Sequence, residues 1–240
     1  MRHTGNLQNM IAYKHYSFDL WMTLIKSNPA FKQARARFFY DNLNHQGKTL
    51  EEVNTVFRQV DAMCNAINEK TGGNITSEEM YLMVISGINN YSNAFGNIHL
   101  TSLYDEMEQL LLKYQPVVYC ENTAAVLQQI KQRDGVTMSL LSNTAFIKGS
   151  SLRTVLDRIG LAAYFDFQIY SDEVGASKPN KIIFDAMLRS IATVRNGNIE
   201  VHTIVHVGDN TVADIYGANA AGIMGILINA NNVSITSLLH

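Results

Sequence analysis

Cysteine, proline and tryptophan are scarce in this 240-residue chain, which holds two, three and one of them. Cys64 and Cys120 are too few and too far apart for a disulfide framework or a thiolate metal site, and a reducing compartment suits them. Surplus charge is missing as well. Nineteen basic and 21 acidic residues leave a formal net charge of -2, which gives no reason to expect nucleic acid or an anionic membrane as a partner. No run approaches the roughly 20 apolar residues of a membrane span. The start, MRHTGNLQNMIAYK, lacks the apolar core of a secretory signal. The expectation is a cytoplasmic protein with residues 1–12 as a flexible tail; no feature speaks to oligomeric state. What is present is ordinary globular composition, 47% hydrophobic and 17% charged, enough to bury a substantial interior.

Two textures alternate along the chain. HYSFDL reads as a short strand that breaks off at Asp19. From Asn28 to Tyr114 the signals are helical. Asn28-Pro29 can cap and open one helix, and Thr49 with Glu52 and Thr76 with Glu79 form capping boxes before two more. SLYDEMEQLLLKY supplies a fourth. After Pro116, helices alternate with the apolar runs VTMSLLSN, FDFQIYSD, HTIVHVGDN and IMGILIN. Strands of that length between helices predict a parallel sheet covered on both faces. Right-handed crossovers then bring the strands' carboxyl ends to one edge. Asp19, Ser142-Asn143, Asp172 and Asp209 should meet there. The expected organisation is a catalytic core from residues 13–27 and 115–240, with a helical cap at 28–114.

Asp19 and Asp209 each close a strand, and Asp214 follows five residues after Asp209. Carboxylates brought together repel, and a basic partner, a shared proton or a divalent cation is the usual remedy. A hard ion such as Mg2+ takes oxygen ligands and keeps room for a phosphate oxygen. Ser142 offers a hydroxyl. Lys178, before Pro179 at a helix start, offers an ammonium beside free backbone N–H groups. A carboxylate nucleophile, metal, hydroxyl and lysine are the requirements of phosphoryl transfer.

FDLWMTL, LLSNT, the lysine of SKPNKIIFDAML and GDNTVAD resemble, in order and spacing, the four motifs of the haloacid dehalogenase-like hydrolase superfamily. The resemblance covers residues 15–228, the helical insert matching in type and location. It implies an α/β fold, a Rossmann-like parallel sheet core with an inserted all-helical cap, and a Mg2+-dependent phosphatase that works through an aspartyl-enzyme intermediate on a small phosphorylated molecule. By it, Asp19 is the nucleophile, Ser142 the phosphate-contacting hydroxyl and Lys178 the stabiliser of the transferring group. Asn143 would hold that region. Asp19, the Trp21 carbonyl and Asp209 would bind the metal, with Asp214 in or behind them.

One position departs from the pattern. Phosphatases of this family usually carry an aspartate two residues after the nucleophile, which protonates the leaving oxygen and then activates water; here it is Trp21. Three consequences are open: a leaving group that departs unaided, a substitute side chain such as His15 or His45, or a protein that mostly binds. The dehalogenase branch also lacks the second acid, but its fourth motif has serine where this chain has Asp209, and it works without metal. The phosphonate-cleaving branch needs a cap lysine, and none of Lys26, Lys32, Lys48 and Lys70 stands out. Thr23 is expected to bond the turn after Asp19. Of Arg35 and Arg37, two positions apart on a helix, at most one can face inward. Phe38, Phe39 and Tyr40 read as helix–helix core. His202 and His206 flank a buried strand with no third ligand spaced for zinc.

Overall fold

β1 (His15–Phe18) is the middle strand of a five-stranded parallel sheet with β4 (Thr137–Ser142) and β5 (Phe167–Tyr170) to one side and β6 (Ile204–Gly208) and β7 (Met224–Leu227) to the other, in the order β5-β4-β1-β6-β7. This computed structural model describes residues 13–96, 98–197 and 200–239. The expected tail, 1–12, lies outside the described residues. Register puts His15 opposite both Thr137 and Ile204, so side chains alternate between the two faces of the sheet. Tyr16, Phe18, Met138, Leu140, Val205 and Val207 belong to one apolar cluster. His15, Ser17, Ser139 and His206 occupy the other face, all fully buried.

That second face is polar but satisfied. His15 bonds the hydroxyls of Thr137 (2.8 Å) and Ser139 (2.9 Å) and stacks on Phe167. Its place in the sheet interior removes it as a substitute acid. His45, in the cap, donates its backbone N–H to Asn89 Oδ1 and does not line the cavity between cap and core.

After β1 the chain curls through a tight turn. Met22 takes a left-handed φ of 58°, and its N–H donates to the Ile25 carbonyl (2.7 Å). A two-stranded antiparallel ribbon follows, β2 (Ile25–Lys26) with β3 (Val117–Val118). Each strand is only two residues long, too short for a periodicity signal. Between them run the four expected helices, α1 (Pro29–Asn42), α2 (Leu50–Thr71), α3 (Ser77–Ile88) and α4 (Leu100–Lys113). Asn28 caps α1 through its side chain, and both capping boxes are formed. The helices enclose their own apolar cluster, with Phe39, Phe57, Tyr81 and Val84, which Phe146 joins from the core. The core helices are α5 (Thr123–Lys131), α6 (Gly149–Arg158), α7 (Ser171–Val174), α8 (Lys181–Val194) and α9 (Gly217–Ala220); the turn before α9, Thr211–Tyr216, is π-helical.

The cap docks on the core at the carboxyl edge of the sheet. Asn74, between α2 and α3, accepts from Ser171 Oγ (2.6 Å) and Ser177 Oγ (3.2 Å). The Gly72 carbonyl accepts from Ser177 N–H (3.2 Å) and Asn180 Nδ2 (3.0 Å). Gly72 has φ +71°, and a Cβ there would stand 2.4 Å from Asn180 Nδ2. Only glycine meets both conditions. Lys148 pairs with Glu78 across the same boundary.

Candidate active site

Strand ends place the acids. Asp19 follows β1 directly, and Asp209 follows β6. The π-helical turn swings Asp214 back under them. It can come this close because residue 208 is glycine: a Cβ there would meet Asp214 Oδ2 at 2.1 Å. Asp19, Asp209 and Asp214 each offer an oxygen, and these lie within 4.8 Å of one another.

The Lys178 ammonium faces this group of carboxylates. Lys178 is 1% exposed and donates to Asp19 Oδ1 (2.7 Å), Asp214 Oδ1 (2.7 Å) and the Leu141 carbonyl (2.6 Å). A buried charge is tolerated only when paired and bonded in this way. Asn143 fixes the lysine backbone, accepting from Lys178 N–H (2.7 Å) and donating to its carbonyl (3.0 Å). Thr23 does more than brace its turn. Its hydroxyl lies 3.0 Å from Asp19 Oδ2 and 3.4 Å from Asp209 Oδ1 and donates between them.

Asp214 is the most heavily bonded of the three. Lys178 and His206 Nε2 (3.1 Å) share Oδ1, and Asn210 N–H donates to Oδ2 (2.9 Å). His206 Nδ1 meets Ser17 Oγ at 2.9 Å. Burial holds this imidazole below its ordinary value, so it is neutral. With Asp214 able only to accept, the proton sits on Nε2 and Ser17 donates to Nδ1. Burial opposes ionisation of Asp214, yet Lys178 and His206 hold it below the usual carboxylate range. Asp19 moves the other way. Burial pushes it up to about 7, with Lys178 opposing and Asp214 adding to the rise. Asp209 is raised too, by burial and by Asp214.

A cavity of about 680 Å³ opens over this group, between core and cap. Asp19, Trp21, Asn143, Lys178, Asp209 and Asp214 all line it. Ser142 does not. It is fully buried, and its hydroxyl donates to the Asn143 carbonyl (3.0 Å). Asp172 and Glu173 stay off the cavity as well, Asp172 accepting from Gly149 N–H and Glu173 pairing with Arg153. Trp21 is half-buried, and its carbonyl accepts no hydrogen bond from the described residues. The cap wall is one polar face of α2, where Asn54, Arg58, Asp61, Asn65 and Glu69 recur at helical spacing. In the sequence the many other polar residues of the cap mask that stripe. Glu69 accepts from Asn210 Nδ2 (3.4 Å), which puts a cap carboxylate beside the loop that carries Asp209.

The donor set suits a hard divalent cation. It is all oxygen, with three carboxylates gathered about the Lys178 ammonium.

The model of the haloacid dehalogenase-like hydrolases matches residues 13–222, and the chain belongs to that family. A glyceraldehyde 3-phosphate phosphatase of Methanothermobacter thermautotrophicus is 30% identical over 170 residues, 65% of this chain and 70% of that protein. The pyrimidine 5'-nucleotidase YjjG of Escherichia coli is 40% identical over 84 residues, and the match spans only 35% of each protein. The structure of the HAD-hydrolase YfnB from Bacillus subtilis, bound to magnesium, superposes with a TM-score of 0.67 at 16% identity, covering 90% of this chain and 89% of that one.

Proposed function

We propose that the protein is a Mg2+-dependent phosphohydrolase that acts on a small phosphorylated metabolite through an aspartyl-phosphate on Asp19. The observation that carries this reading is the group of three carboxylates with Lys178 bonded to the nucleophile. Asp19, Asp209 and the Trp21 carbonyl would hold the ion, with Asp214 behind them because its lone pairs already serve Lys178, His206 and Asn210. The ion would supply positive charge to the phosphoryl oxygens and to the crowded acids.

An Asp19 oxygen attacks phosphorus while the bond to the leaving oxygen breaks, and the electron pair departs on that oxygen. Lys178 offsets charge on the transferring group, and Thr23 keeps the Asp19 carboxylate oriented. Asn143 and the neighbouring loop form the phosphate floor; a role for Ser142 requires its hydroxyl to rotate off the Asn143 carbonyl. Water then attacks the phosphorus of phosphoaspartate as the bond from phosphorus to the Asp19 oxygen breaks, giving the Asp19 carboxylate and dihydrogen phosphate, which carries the protons of the water away. Trp21 has no proton to give or take at either step. Substrates whose leaving group departs unprotonated, such as acyl and aryl phosphates, are therefore favoured, and Glu69, bonded to Asn210 beside Asp209, is a cap carboxyl that could handle a proton for others. Metal-free dehalogenation also tolerates Trp21, but it gives Asp209 no role beside the nucleophile.

Asp209→Ser tests the metal assignment separately from turnover. Calorimetric Mg2+ affinity should fall at least tenfold, and unchanged affinity removes Asp209 from the site.

A further inference from the structure

The cavity has a second pole. Arg35, on α1, lines it and is only 8% exposed. Its guanidinium carbon lies 4.3 Å from the Phe57 ring centre, 4.5 Å from Phe146 and 5.3 Å from Phe31. The Tyr81 hydroxyl and the Asp61 carboxylate, which lines the same cavity, act on it from nearby; among the described residues no carboxylate closes an ion pair with it, and its Nε has no hydrogen-bond partner. Arg37 shows the contrast: it is exposed and paired with Asp41 at 2.8 Å. Buried arginines are almost always paired, because an uncompensated charge out of water is expensive. Aromatic faces attract a guanidinium, yet they leave its in-plane N–H donors unsatisfied. A guanidinium packed against aromatic rings, on the cavity wall and closed into no ion pair, is suited to bidentate capture of a carboxylate or phosphate.

Resting on the phosphohydrolase reading, we propose that Arg35 is the receptor for a second anionic group of the substrate, so that the preferred substrates are phosphorylated acids or bisphosphates and not phosphomonoesters of neutral alcohols. The reacting phosphoryl group sits at Asp19 and Lys178, and the remote carboxylate or phosphate sits on Arg35. Phe146 comes from the loop that follows Ser142-Asn143, while Phe31 and Phe57 come from the cap. The receptor is therefore complete only with the cap against the core, which couples recognition of the remote group to closure.

The test uses pairs matched at the phosphoryl end: 3-phosphoglycerate against glycerol 3-phosphate, and fructose 1,6-bisphosphate against fructose 6-phosphate. Binding is measured by calorimetry on the wild type, Arg35→Met and Arg35→Lys, so the readout does not depend on turnover. At least one doubly anionic member should bind the wild type ten or more times tighter than its partner. Arg35→Met, which keeps the apolar stem, should erase that ratio; Arg35→Lys should keep part of it. Equal wild-type affinities, no binding at all, or a ratio that survives in Arg35→Met overturns the proposal. If Arg35→Met does not fold, Arg35→Lys decides, an undiminished ratio again being the contrary result. Hydrolysis of p-nitrophenyl phosphate by the wild type is scored alongside: its absence with the ratio intact would sink the phosphohydrolase reading and leave Arg35 an anion receptor.

Discussion

Trp21 and Glu69 define what the residue scale has to explain. A general acid or base is worth about 10²–10⁴-fold in rate, and its usual position here holds an indole. Trp21→Asp should raise turnover of alkyl phosphates by roughly that range while changing acetyl phosphate hydrolysis far less, since acetate leaves without help. Glu69→Gln should lower alkyl phosphate turnover in the wild-type background and lose its effect in the Trp21→Asp background. Equal effects of Glu69→Gln in both backgrounds would assign Glu69 a structural role. Asp19 and Asp209 could be read from the chain because each closes a strand, and Asp214 because it follows five residues after Asp209. Their bonding could not: that Thr23 spans Asp19 and Asp209, or that His206 braces Asp214, depends on pairings 186 and 8 residues apart that no local pattern announces.

Elements carried the clearest sequence signals where local chemistry decides the outcome. The caps at Asn28, Thr49 and Thr76 are satisfied by side chains within three residues, so they are legible from sequence. The ribbon of β2 and β3 is fixed by pairing across the whole cap, and two-residue strands carry no period. Arg35 and Arg37 divide as helix geometry requires, one inward and one out. The α2–α3 connection is where cap meets core, and it gives the element-scale prediction. Gly72→Ala combines an unfavourable φ with contact on Asn180. It should raise KM several-fold, lower thermal stability by about 1 kcal/mol or more, and leave far-UV circular dichroism unchanged. Wild-type KM and stability in that variant would show that this contact does not hold the cap.

For the molecule as a whole, the sheet binds two groups of residues with opposite fates, a site at its edge and a sealed polar face behind it. His15 belongs to the second. Burial, aided by Arg195 and His206 and opposed by Asp166, holds its imidazole down at about 3, against an ordinary 6.5. Between those values the unfolded chain binds the extra proton, so stability is full above about 6.5 and falls as pH drops through the window. The full loss is on the order of 5 kcal/mol. His15→Gln, which keeps partners for Thr137 and Ser139, should flatten denaturant stability between pH 6.5 and 4; an unchanged slope would assign the acid sensitivity elsewhere. No helix among the described residues is long and apolar enough to cross a membrane. The parallel sheet and inserted helices were readable from alternating textures, whereas the polar sheet face was not, because His and Ser in a strand look like exposure until both faces are covered.

The central claim is Mg2+-assisted attack by Asp19 on phosphorus. Its most direct test is steady-state hydrolysis of p-nitrophenyl phosphate and acetyl phosphate, with Mg2+ and with chelator, by the wild type and Asp19→Asn. The account predicts turnover that disappears both with chelator and in Asp19→Asn. Turnover indifferent to either change, or halide release from 2-chloropropionate in chelator with no phosphate hydrolysis, would contradict it.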